Sequence, residues 1–230
     1  MNKTSWIIFS VVTIGILAFL VIFSSKSGLD VSKVDANATQ SANAQDGNIA
    51  DHVFGKLGGK VTLIEYGDYQ CPACGTVHST IRPIVELYKD KLQFVFRNFP
   101  LTSIHPNGKA AAAVVEAAGL QGKFWEMHNK IYESQEAWSN LSGTERTNFF
   151  DGYAKDLDLN VKKFDTDIAS KDVNDKIAYD AAIGFKIGVD ATPTFYLNGK
   201  KLDIAMSSSE AKMKAVINAE LKKAGIALPQ

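Results

Sequence analysis

Val61-Thr62-Leu63-Ile64-Glu65-Tyr66-Gly67-Asp68-Tyr69-Gln70-Cys71-Pro72-Ala73-Cys74 is the stretch on which the reading of this chain turns. Its first six residues, rich in β-branched and aromatic side chains, predict a strand. From Pro72 the pattern turns helical and continues to about Tyr88. Pro83 falls inside that helix, where a missing donor and a clash one turn back predict a kink. The arrangement places Cys71 at a helix N-terminus. Cys71 and Cys74 are the 2 cysteines of a 230-residue chain. A disulfide between them closes a ring too small to remove much chain entropy, so stapling explains the pair poorly.

Thiol–disulfide exchange does explain it. The reaction needs a thiolate to attack and a second thiol to resolve the mixed disulfide. Unpaired amides and the positive dipole end of a helix stabilise a thiolate at Cys71. One turn later Cys74 lies within disulfide reach, and Pro72 fits the first helical turn without losing a needed donor. The competing chemistry is half of a zinc site. Zinc takes four ligands, or three and a water. There is no second Cys-x-x-Cys, and His52, His78, His105 and His128 show no paired ligand spacing. Redox work is the reading that stands.

Working outward, Leu92-Gln93-Phe94-Val95-Phe96-Arg97 reads as a second strand and Thr194-Phe195-Tyr196-Leu197 as a third. Between about 103 and 187 the pattern is helical. Asn198-Gly199 is a two-residue hairpin turn, so Lys200 to about Ile204 returns antiparallel. Ser208 or Ser209 caps a last helix that ends near Ala224.

Towards the N-terminus, Trp6 to Phe23 is an apolar run broken by Ser10, Thr13 and Gly15. Such a helix spans roughly 27 Å, near the hydrocarbon thickness of a bilayer. A cleaved signal peptide has a shorter apolar core and a small-residue cleavage site just beyond it. Here the nearest such pattern, Ala42-Asn43-Ala44, lies far downstream. Residues 1–27 therefore read as a cytoplasmic stub and a transmembrane signal-anchor. Residues 28–50, rich in Ser, Asn, Ala, Gln and Asp and free of aromatics, read as a flexible linker. The domain proper then occupies 51–230. Lys+Arg and Asp+Glu are both 25, so no basic excess points to nucleic acid.

Three segments carry a resemblance. The stretch Glu65 to Cys74 is similar to the active-site entry of the DsbA-like thiol oxidoreductases, in the thioredoxin superfamily. Gly122-Lys123-Phe124-Trp125-Glu126-Met127-His128 resembles part of that family's helical insertion. Gly188-Val189-Asp190-Ala191-Thr192-Pro193-Thr194-Phe195 resembles its loop with a cis-proline. The resemblance covers roughly residues 50 to 225. It implies an α/β chain: a thioredoxin fold with a helical domain (about 103–187) inserted between the second and third core strands, preceded by one transmembrane helix.

The same resemblance implies roles. Cys71 takes the place of the nucleophile and Cys74 that of the resolving thiol. Pro193 takes the place of the proline beside the disulfide, with a cis peptide after Thr192. Glu65 stands where the family has a buried acid that relays a proton to Cys74. Alternation does not decide between that role and a surface glutamate. Arg97 either offsets the acid's charge or faces solvent. His78, one turn beyond Cys74, reads as helix surface, and Phe124 and Trp125 read as packing residues. One departure stands out: the dipeptide Pro72-Ala73 has no histidine, so nothing on its side chains supports the thiolate.

The implied activity is oxidation of dithiols in secreted or surface proteins, outside the cell membrane. Its cofactor is none beyond the Cys71–Cys74 disulfide, and its substrates are unfolded or reduced proteins. A membrane partner of the DsbB or vitamin K epoxide reductase type would re-oxidise it. A membrane-tethered reductase is the alternative of the same class. A chaperone-like binding module without redox turnover is the alternative of another.

Overall fold

In strand β2 (Thr62–Gly67) every residue is buried, on both faces of the pleat. That is the property of a central strand covered on each side. β3 (Gln93–Asn98) lies parallel to it, and β4 (Thr194–Leu197) antiparallel on its other side. β1 (Val53–Gly55) and β5 (Lys200–Lys201) complete the edges, giving the order β1-β3-β2-β4-β5. The three-residue β1 has no counterpart in the sequence expectations. Asn198 and Gly199 both have positive φ, 46° and 79°, as the predicted hairpin requires.

The structure, a computed structural model, describes residues 29–229. The chain divides into two units at Lys33, and the second, Val34–Gln230, is compact. The expected signal-anchor over residues 1–27 lies outside the described residues. Among the described residues no helix is long and apolar enough to cross a membrane.

Helix α1 (Pro72–Tyr88) follows β2 and runs unbroken through Pro83. Between β3 and β4 come six helices: α2 (Gly108–Gly119), α3 (Phe124–Glu133), α4 (Gln135–Trp138), α5 (Gly143–Asp156), α6 (Val161–Ile168) and α7 (Lys171–Lys186). This is the inserted helical block expected at about 103–187. α8 (Ile204–Ser207) and α9 (Glu210–Lys223) close the chain. Side chains of Asn160, Ser170 and Ser209 cap α6, α7 and α9 by accepting from the amide three residues on.

The pleat sorts the sheet into two faces. Leu63, Phe94, Phe195 and Leu197 pack with Val77, Ile81 and Ile84 of α1 and Met213, Ile217 and Leu221 of α9. Glu65 shares this face, because side chains two apart in a strand point the same way. Its direct neighbours across the strands are Phe96 and Phe195.

The opposite face carries Tyr66 beside Arg97 in the paired register. It is crowded by α7, whose Gly184 would, with a Cβ, meet Phe99 at 2.7 Å and Tyr66 at 3.0 Å. Only glycine lets the helix come that near. Arg97 is neither exposed nor beside Glu65, because it points to the other face of the sheet. It donates to Asp51 Oδ2 at 2.7 Å and to the Tyr66 hydroxyl at 2.8 Å.

Two further Arg97 hydrogen bonds reach the Ala36 and Ala38 carbonyls, at 2.6 and 2.7 Å. Gln40 and Asp51 exchange two more, each 2.9 Å. Residues 34–50, which composition alone marks as part of a flexible tether, thus lie as a strap against the domain. Backbone carbonyls hold the strap to a buried guanidinium, so its polar side chains gave no sign of it.

Candidate active site

β2 ends at Gly67, and residues 68–70 carry the chain round to Cys71, the N-cap residue of α1. Its backbone is extended, with φ −69° and ψ 120°, and Pro72 occupies the first turn. The loop is held from several sides. Cys71 N donates to Asp68 O at 3.0 Å. The buried Asp68 carboxylate accepts from the Gln70 amide at 2.9 Å and the Leu101 amide at 2.8 Å, and lies 2.7 Å from His105 Nδ1. From α4, the Gln135 side-chain amide donates to Tyr69 O and Cys71 O, at 2.7 and 2.9 Å. The backbone that presents Cys71 is therefore fixed at both its donor and its acceptor.

Both cysteines are free thiols. In its thiol form Cys71 Sγ donates to Thr192 O at 3.4 Å, which brings the β4 entry loop to the helix end. The Thr192–Pro193 peptide is cis. The two thiols differ in acidity. A hydrogen bond from Cys74 lowers Cys71 from 9.0 to about 5 against the penalty of burial, and the Cys74 and Ala73 amides assist. Burial, followed by the bond to Cys71 and the charges of Glu65 and Cys71, pushes Cys74 well above the usual thiol range. At neutral pH Cys71 is a thiolate and Cys74 a thiol.

Glu65 lies in the sheet face beneath α1. Burial, and then the charge of Cys71, raises its carboxyl from 4.5 to about 8. Its Oε1 has no hydrogen-bond partner among the described residues. Arg97, pointing away, offers it no compensation. The carboxyl is protonated at neutral pH and can donate.

His78 is not helix surface. It is 8% exposed and stacks on Tyr132, with ring centroids 4.9 Å apart. His128 stands 5.3 Å away and meets the Tyr69 hydroxyl at 2.9 Å through Nδ1. Burial, then Arg82, lowers His78 from 6.5 to about 4, so it is neutral at pH 7. The misreading has a physical origin. α1 alone exposes that helix face, and α3 of the insertion covers it. Trp125 and Phe124 pack as expected, Trp125 against Phe54 and Phe94 at centroid distances of 5.6 and 5.5 Å.

Sequence reasoning did not single out Asp68 or Gln135 as parts of the site. Asp68 stands within the decisive stretch, but Gln135 gave no local signal. Among the described residues no three His, Cys, Asp or Glu side chains form a set that holds a metal.

Residues 47–219 match the family described as Thioredoxin. Curated relatives include the Na(+)/H(+) antiporter NhaA 1 of Salinispora arenicola, 37% identical over 151 residues, which are 66% of this chain and 22% of that protein. The antiporter of the same name from Mycolicibacterium gilvum is 36% identical over 155 residues, 66% of this chain and 24% of its own length. The chain thus spans less than a quarter of those relatives. Among solved structures, oxidised BdbD of Bacillus subtilis matches with a TM-score of 0.64 at 24% identity, covering 80% of this chain and 98% of that one. Wolbachia pipientis alpha-DsbA1 gives 0.63 at 24%, covering 76% and 92%. A protein-disulfide isomerase from Novosphingobium aromaticivorans gives 0.60 at 20%, covering 74% and 97%. At such identities the likeness is one of fold.

Proposed function

Because this chain belongs to the thioredoxin family, we propose that it is a thiol–disulfide oxidoreductase that introduces disulfides into secreted or surface proteins through Cys71 and Cys74. The observation that carries this is the split between two adjacent thiols, one held as thiolate at a helix end and the other kept protonated. With Cys71 lowered to about 5, its thiolate outnumbers the thiol roughly a hundredfold at pH 7. That makes it a good leaving group and favours the reduced enzyme, the condition of an oxidant.

In the proposed cycle a substrate thiolate attacks Cys71 of the oxidised pair. The Cys71–Cys74 bond breaks, its electron pair goes to Cys74, and Glu65 supplies the proton that Cys74 needs. A second substrate thiolate attacks the substrate sulfur of the mixed disulfide and releases Cys71 as thiolate. Two substrate thiols are oxidised and one enzyme disulfide is reduced. The Thr192 carbonyl and Pro193, beside Cys71, form the edge along which an extended substrate segment lies. A membrane protein of the DsbB or vitamin K epoxide reductase type returns the pair to the disulfide. Residues 1–27 anchor the chain in the cell membrane with the domain on the extracytoplasmic side. Ion transport, the activity named for the antiporters, is not proposed for this chain.

A tethered reductase is the second reading, favoured by one observation: Ala73 offers the thiolate no side-chain support. Equilibration with glutathione buffers separates the two. A potential near about −120 to −180 mV supports the oxidase, and one below about −250 mV makes the reductase the account to keep. Cys71→Ser abolishes turnover on either reading. If an ability to hold unfolded chains survives that change and no turnover is found in the parent, the domain is a binding module.

A further inference from the structure

A groove of about 850 Å³ opens beside Cys71, between the first turns of α1 and the junction of α3 and α4. Pro72, Gly75 and Thr76 line one wall, and Glu133, Gln135 and Glu136 line the other. The volume suits a few residues of an extended chain. Thr192 and Pro193 do not line it. Thr192 meets Cys71 at its sulfur, whereas the groove reaches Cys71 at its carbonyl, through Gln135.

The groove carries one sign of charge. Its lining holds two glutamates and no lysine or arginine. Glu133 is paired with Arg82, whereas the exposed Glu136 has no ion pair among the described residues. The C-terminal end of α3 lies there too, at Tyr132 and Glu133, and adds the negative end of a helix dipole. The positive end of α1 is taken up by Cys71. The Ala73 and Cys74 amides turn to its sulfur, and the Gly75 amide donates to its carbonyl at 3.1 Å. Gln135 adds a neutral acceptor. Its Nε2 donates to Tyr69 O and Cys71 O, and no donor reaches its Oε1 among the described residues. That oxygen rests against Gly75, where a Cβ would stand 2.6 Å away. Both residues line the groove, so Oε1 is placed to accept a backbone N–H from a chain lying in it.

We propose that this groove receives the substrate chain on one side of its reacting cysteine, and that Glu136 selects a lysine or arginine in that segment. The inference rests on the oxidoreductase reading and deepens it by naming the substrate class: dithiol proteins with basic residues flanking the cysteine that attacks Cys71. On the other side of that cysteine the chain follows the edge formed by Thr192 and Pro193. Glu136 determines specificity and does not touch the reacting sulfurs. Charge complementarity of this kind acts mainly on the rate of encounter, so a basic substrate is favoured without being retained after its oxidation.

The test uses the oxidised full-length protein and short peptides with a single cysteine. Lys, Gln or Glu stands two residues before the cysteine in one set and two residues after it in the other. The rate at which excess peptide reduces the Cys71–Cys74 disulfide is measured. In one of the sets the Lys peptide reacts about tenfold faster than the Glu peptide at low salt. The ratio falls towards one at about 1 M salt, where the screening length is about 3 Å. Glu136→Lys reverses the order; the position is exposed, so the variant folds. A small neutral dithiol reacts with that variant at the parental rate. Equal rates for the Lys and Glu peptides in both sets overturn the proposal, and so does an unchanged order in Glu136→Lys. A slower reaction of the variant with the neutral dithiol overturns it too, because the residue would then act on Cys71 and not on the guest. Peptides with Ser in place of Cys give a second readout, by fluorescence anisotropy, in which the parent binds the Lys form more tightly than the Glu form. If the parent oxidises no dithiol, the oxidoreductase reading falls, and this order of binding still decides the groove.

Discussion

Glu65 and Asp51 are both buried acids, on opposite faces of the same sheet, and they meet opposite fates. Asp51 accepts from Arg97 at 2.7 Å and from Lys176 at 2.9 Å, and Lys176 also reaches Asp180 at 2.8 Å. Burial pushes the Asp51 carboxyl up, but Lys176 and Arg97 override it and hold the group well below its usual range. Glu65 is likewise buried, with Phe96 and Phe195 for strand neighbours, and among the described residues no cation shifts it. It rises to about 8. Low dielectric amplifies whatever partner is present, and penalises charge where there is none. One face of the sheet keeps its acid ionised and so holds the strap. The other keeps its acid neutral and so retains a proton to give.

The largest effect is expected from breaking the paired side. Asp51→Ala leaves two cations buried without their shared carboxylate and costs about 3–5 kcal/mol, read by urea unfolding. In whatever fraction stays folded, the thiolate absorbance of Cys71 still titrates near about 5. A displaced midpoint would mean that the two faces are coupled and the comparison is wrong.

A smaller effect, of opposite sign in two variants, sharpens the unpaired side. Glu65 stands at about 8 in the fold against an ordinary 4.5. The folded state therefore holds a proton that the unfolded chain has lost, and its stability falls as pH rises from about 4.5 to about 8. The swing is on the order of 5 kcal/mol. Cys71, at about 5 against 9.0, has the reverse sign, and its contribution grows between those values. In the reduced parent the two slopes oppose. Cys71→Ser uncovers the fall, and Glu65→Gln uncovers the rise. Unfolding midpoints at three pH values between 5 and 8 check both, and a parallel response in the two variants would refute the assignment.

The smallest effect calibrates the others. Ser209→Ala removes the α9 cap, far in sequence from either acid, and costs about 1 kcal/mol. It should leave both titrations unmoved in the same measurements.

The legible parts of this molecule are those whose physics is local. A β-rich run, two cysteines and a proline announce strand, turn and helix within fourteen residues, and Asn198-Gly199 announces its hairpin. Helical spacing marked the insertion. Hidden were the features that depend on what distant segments bring. Both faces of β2 are covered, so alternation said nothing of where Glu65 points. His78 is buried by α3, about fifty residues further on. The strap is held through its carbonyls, which every residue has, so Ala36 and Ala38 look like spacer. Arg97 finds its partners at Asp51 and Tyr66, across the sheet from Glu65 and away from solvent.

The collar around Cys71 has a mechanical consequence. A substrate chain that begins to fold while still joined to Cys71 pulls on that residue. The pull enters a backbone whose amide is tied to Asp68 and whose carbonyl is tied to Gln135, and it passes from there into β2 and α4. Tension is thus shared with the sheet and the helical insertion before it can unwind the first turn of α1. The geometry that sets the acidity of Cys71 is shielded from load while the substrate is held.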